Sequence, residues 1–207
     1  MIESLSKIAR FFCGYGMNVN VCYKKDFVNS QCSIHFDGRT ADIVMGGKCE
    51  EMMKINNLDE ITLNSIEFYE NEQEKEEFGN VDLTIRIFLH ELSHALTMTD
   101  RRLISIHKKE MEGFFINEIF ATTYERNICY SKLMSEKIAD NLSFVLYKRY
   151  KEEIYEMYYN NKNLQWQNSI SSEVKNMVNE VKKYFMINFS DDSGYELHPT
   201  TRRVVKQ

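Results

Sequence analysis

Two histidines four residues apart flank a glutamate in Ile87-Phe88-Leu89-His90-Glu91-Leu92-Ser93-His94-Ala95-Leu96. In a helix, residues i and i+4 share one face, so His90 and His94 can offer two imidazoles to a single ion. Glu91, beside them, is placed to handle the proton of a water activated by that ion. Apart from these three, residues 87–96 carry no titratable side chain. An apolar wall of that kind strengthens ligand bonds and keeps the acid near the metal. A surface helix with two incidental histidines would show charges on its flanking turns.

If the ion is zinc, it takes a third protein ligand and leaves a fourth position open. Two carboxylates qualify. Glu118, in Ile116-Asn117-Glu118-Ile119-Phe120-Ala121-Thr122, falls twenty-four residues after His94 on the next expected helix. A short turn would fold that helix back along the first, and the small Ala121 and Thr122 permit close approach. Asp100, six residues after His94, is the alternative. It requires a sharp turn of the kind glycine supplies, and Thr97 stands there. Glu118 is therefore preferred and Asp100 held second. Glu110, Glu112 and Glu125 read as solvated helix carboxylates. His107 reads as an exposed side chain in an inter-helix turn, and His35 as a surface or hydrogen-bonded group on a strand.

The elements that must position these groups follow from periodicity. Residues 1–13 read as an amphipathic helix with Ile2, Leu5, Ile8 and Phe12 on one side, broken by Gly14 and Gly16. The next sixty or so residues read as strand-rich. Val19 and Val21 alternate with polar neighbours, as do Cys32, Ile34 and Phe36, and Asp37-Gly38 before Ala41–Met45 marks a hairpin. Residues 61–69 alternate and read as another strand, and the acidic run 70–77 as a loop or helix start. Helices are expected over 82–99, 109–130, 131–160 and 168–186, followed by an irregular tail carrying Gly194 and Pro199. The tyrosines at 147, 150, 155, 158 and 159 fit packing between helices. The fold class is α+β, a small twisted sheet lobe (1–80) followed by a mainly helical lobe (81–207) in a single domain.

His90-Glu91-x-x-His94, with Asn117-Glu118-x-x-Ala121 on a later helix, resembles the gluzincin group of zinc metallopeptidases. That resemblance implies a zincin-like fold with the active-site helix between the two lobes. It implies one zinc ion held by His90, His94 and Glu118, with Glu91 as general base. It also implies a peptide or protein substrate lying in a cleft lined by the edge strand of the sheet. The segment Leu197-His198-Pro199-Thr200-Thr201-Arg202-Arg203-Val204 is similar to a His-Pro…Arg stretch found late in some gluzincins, with its arginine one or two residues early. It implies that His198 or Tyr195 donates a hydrogen bond to the tetrahedral intermediate.

Bulk composition narrows the alternatives. The net charge of −5 over 207 residues, with no long basic block, disfavours nucleic acid as a partner. Five cysteines at irregular spacing, with no Cys-x-x-Cys pair, read as free thiols of a reducing compartment. No apolar run approaches the ~18 residues that cross a bilayer, and the start lacks the pattern of a secretory signal. A cytoplasmic protein is expected. Sparse proline with abundant Asn and Lys suits an AT-rich genome, such as a low-GC bacterium or its phage. The leading reading is a zinc-dependent endopeptidase. The rival is a non-catalytic metal-binding regulatory or interaction protein that keeps the fold, and Glu91 would have no chemical duty there.

Overall fold

Helix α1 (Ile2–Cys13) sets Leu5, Ile8, Ala9 and Phe12 on its buried side and stops where Gly14 takes φ 54°. The computed structural model describes residues 1–14, 16–35, 37–116, 122–188, 195–197 and 204–206. After α1 come β1 (Asn18–Lys24), β2 (Gln31–Ile34) and β3 (Thr40–Gly46). They form one sheet in the order β1-β3-β2, with β3 parallel to β1 and antiparallel to β2. Central β3 buries Ala41, Ile43, Val44 and Met45, as a strand covered on both faces must. The expected hairpin joins β2 to β3. Its turn is fixed by the Asp37 carboxylate, which accepts from the backbone of Arg39 (2.8 Å) and Thr40 (2.9 Å), and by Gly38 at φ 63°. Among the described residues β2 has a strand on one side only, so its other edge is not paired with a strand.

The sheet ends at Gly46, which corrects the strand-rich reading beyond that point. Helices α2 (Cys49–Ile55), α3 (Leu58–Ser65) and α4 (Glu72–Gly79) follow. Residues 61–69 are not a strand: their first half lies in α3, whose first turn carries Asp59 and Glu60, acids that favour a helix start. The second half is extended, yet it pairs with a side chain instead of a strand. Asn141 Oδ1 accepts from the backbone of Glu67 (2.6 Å) and Phe68 (3.2 Å). The acidic run becomes α4, capped by Asn71, whose side chain accepts from Glu74 N at 3.0 Å.

The helical part comprises α5 (Leu83–Thr97), α6 (Arg101–Ile116), α7 (Thr123–Ser131), α8 (Met134–Tyr158) and α9 (Asn168–Asn188). The single helix expected over 109–130 is instead α6 and α7. Thr122 and Glu125 form a capping box that starts α7, a signal strong enough to end any continuous helix there. Helix α5 runs through the interior, with Ile85, Phe88, Leu89, Leu92 and Ala95 shielded from solvent. Helix α8 packs along α5 and also meets α1 and α9. One apolar cluster joins both halves of the chain, including Leu5, Ile43, Leu92, Leu142 and Val178. Tyr147 and Tyr150 are buried in it, as packing residues. The tail is not wholly irregular, since β4 (Tyr195–Leu197) pairs antiparallel with β5 (Val204–Lys206). The result is a mixed α+β fold. All five cysteines are free thiols, and no described helix is long and apolar enough to cross a membrane.

Asn141 is fully buried and spends both ends of its amide, the NH2 donating to Lys137 O at 2.8 Å. Replacing it by Ala strands the N–H groups of Glu67 and Phe68. Asn141→Ala should lower unfolding free energy by about 3 kcal/mol, read from urea denaturation monitored by far-UV circular dichroism.

Candidate metal centre

Helix α5 presents His90 and His94 one turn apart, as their spacing requires, with Nε2 atoms 3.1 Å from each other. Helix α8 crosses in front and supplies the third group. Glu136 sets Oε2 3.3 Å from His90 Nε2 and Oε1 3.5 Å from His94 Nε2. Ligands about 2.0–2.1 Å from a tetrahedral ion stand roughly 3.3 Å apart. The two rings stand close to that spacing, and the Glu136 carboxylate faces each through a different oxygen, so the group could hold one metal ion. Among the described residues His90, His94 and Glu136 are the set whose ligand atoms all lie within 4.8 Å of one another.

A second carboxylate on α8 orients the first imidazole. Asp140, one turn after Glu136, accepts from His90 Nδ1 at 2.7 Å, and Ser65 Oγ donates to its other oxygen at 2.6 Å. A proton on Nδ1 leaves the Nε2 lone pair turned toward the ion, the usual duty of a carboxylate behind a ligating histidine. Burial alone would lower the His90 pKa. Asp140 and Glu136 outweigh it and hold the ring well above the ordinary histidine range. Burial likewise disfavours the Glu136 carboxylate, but His94 and His90 keep it far below the usual glutamate value.

Glu91 is 7 % exposed and lies beside the triad. Burial raises its pKa; both imidazoles pull it down, Glu136 pushes it up, and a hydrogen bond from the Cys32 backbone stabilises the anion. The acid therefore bridges the metal site and the free edge of β2. The Tyr130 phenol of α7 also turns toward Glu136, and burial with that carboxylate raises its pKa. These groups sit in a cleft of ≈ 1170 Å³ whose walls include Cys32 and Ile34 of β2, Met52 and Met53 of α2, and Ile104 and Met111 of α6. Arg86, one turn before His90, shapes the same wall through a two-pronged ion pair with Asp59 of α3.

Asp100 stands outside the triad: it sits before α6, accepts from Arg102 N at 2.9 Å and pairs with Lys182 Nζ at 2.9 Å. Lys182 and these backbone bonds hold its carboxyl below the usual range. Glu118 and His198 lie outside the described residues, and of Tyr195 the strand backbone alone is described. The carboxylate that meets the imidazoles is Glu136, which sequence reasoning passed over. His107 is half-buried, not exposed, with Nδ1 2.7 Å from Ser135 Oγ. Glu110 is not solvated either, since it accepts from the backbone of α8. His35 is hydrogen-bonded to Asp42 at 2.7 Å on the exposed face, as expected. A sequence signal for Glu136 and Asp140 did exist: two acids one turn apart in a stretch otherwise dense with Met134, Ile138, Ala139 and Leu142.

No family model, curated protein or solved structure matches the chain. The metal centre consequently rests on geometry. Asp140→Asn keeps the shape and removes the anion behind His90, so divalent-ion affinity should fall about 10- to 100-fold. Competition with a chromophoric chelator checks this, and Asp100→Ala should leave the affinity unchanged.

Proposed function

We propose that the chain is a zinc-dependent endopeptidase whose ion is held by His90, His94 and Glu136. The observation that carries this reading is the position of Glu91, buried against the triad and linked to the free edge of β2. A metal site with a purely structural task is closed and has no use for a buried acid beside it. Nitrogen and carboxylate donors in a three-member set suit zinc. When bound, zinc supplies Lewis acidity, which polarises a carbonyl and acidifies water.

The chain's own residues do the rest. Glu91 accepts the proton of the attacking water and delivers it to the leaving nitrogen. Its raised pKa places it closer to neutrality than a free glutamate, which favours such a two-way transfer. Asp140 fixes the His90 ring, and the hydrophobic interior behind α5 fixes both histidines. The open edge of β2 offers unpaired backbone groups to an extended chain, and side-chain pockets come from α2 and α6. An extended peptide that pairs with a strand edge suits cleavage within a chain. The role that the gluzincin resemblance gives to Tyr195 or His198 remains part of this reading. Tyr130 is a described phenol at the site, hydrogen-bonded to Glu136.

Glu91→Gln should bind zinc with parent stoichiometry and cleave a proteome-derived peptide library at least about 10²-fold more slowly. Mass spectrometry of new termini, run beside metal analysis, reads both quantities. Equal cleavage by the two proteins would remove Glu91 from the chemistry. No cleavage by a zinc-loaded parent would favour the non-catalytic metal-binding reading.

A further inference from the structure

The first turn of a helix leaves its backbone N–H groups without intrahelical partners, and a capping side chain ordinarily serves them. Helix α8 lacks such a cap. Leu133 occupies the capping position, and no side chain of its own segment accepts there. The acceptor comes from another helix. Glu110 of α6 sets its two carboxylate oxygens 2.9 Å and 3.1 Å from Met134 N and also accepts from Ser135 N. His107, one turn earlier on α6, holds the Ser135 hydroxyl at 2.7 Å. Met134 and Ser135 are both buried. They are the two residues immediately before Glu136, which is the third residue of α8.

We propose that Glu110, supported by His107, is a positioning residue for the metal: it caps α8 from outside and thereby fixes where Glu136 stands. This inference rests on Glu136 being a metal ligand, but not on the protein being a peptidase. An anion at a helix N-terminus also meets the positive end of the helix dipole. The arrangement couples α6, one wall of the cleft, to the ligand on α8. Ligand sets tolerate displacements of only about 0.5 Å, so loosening the first turn of α8 costs affinity even where the fold survives. Burial pushes the Glu110 carboxyl up to about 7, while the hydrogen bonds from Met134 and Ser135 pull the other way, toward the carboxylate.

The test compares the parent, Glu110→Ala, Glu112→Ala and the double variant Glu110→Ala/Leu133→Asp. Leu133 has φ −59° and ψ 140°, a backbone that an aspartate cap adopts readily. Zinc affinity is read by chelator competition, and site geometry by the visible spectrum of the cobalt-substituted protein. Glu110→Ala should weaken zinc binding about 10-fold or more and change the cobalt spectrum, whereas exposed Glu112→Ala should do neither. The double variant, which caps α8 from its own chain segment, should return to within about threefold of the parent. A folded Glu110→Ala with parent affinity and spectrum would overturn the proposal. So would a double variant that shows no recovery, or that fails to fold along with the single one. A parent that binds no zinc would instead refute the metal site itself.

Discussion

The interior of this protein buries more negative than positive charge at one point. Glu91, Glu136 and Asp140 are each less than a tenth exposed, and they surround His90 and His94. Two protonated rings, or two neutral rings with one divalent cation, would each set two positive charges against the three carboxylates, and burial that raises the Glu91 pKa eases the third; burying charge without such compensation is expensive. The raised pKa of His90 and the depressed one of Glu136 express the same imbalance, as each side recruits the other.

The rest of the structure serves that cluster. Helix α5 buries its own Phe88, Leu89 and Leu92 in the core, so its two histidines have little freedom to turn. Helix α8 carries two acids one turn apart toward α5, and next to them Asn141 ties down the extended segment after α3. Ser65, at the end of α3, donates to Asp140. The chain from 58 to 68 is thus fastened to the same stretch of α8 that carries Glu136. On the opposite side, β2 brings a backbone N–H to Glu91. Sheet, α3 and α8 all converge on α5, and this sets an acid, a group able to hold a metal and a free strand edge in one cleft.

The legible part of this arrangement is the part encoded within one helix. His90, Glu91 and His94 are neighbours in sequence and could be placed from spacing alone. The β2–β3 hairpin was equally readable, since Asp37-Gly38 encodes its own turn. The carboxylate that meets the imidazoles was not, because its place depends on how α8 is packed. Over 134–147 nearly every residue of α8 is buried, so Glu136 and Asp140, which an amphipathic reading sends to solvent, lie inside. Their partners, and not their own periodicity, decide their burial. Thr122-x-x-Glu125 likewise splits the helix expected over 109–130. Residues 61–69 misled for a related reason: alternation over so short a run fits α3 followed by an extended stretch as well as it fits a strand.

Metal analysis of the purified parent beside Glu136→Ala bears most directly on the buried charge imbalance. One equivalent of zinc is expected in the parent and a large loss in the variant, with both proteins folded. Equal, full occupancy in the two would show that some other carboxylate completes the coordination, and would contradict the convergence of α5 and α8 on a single ion.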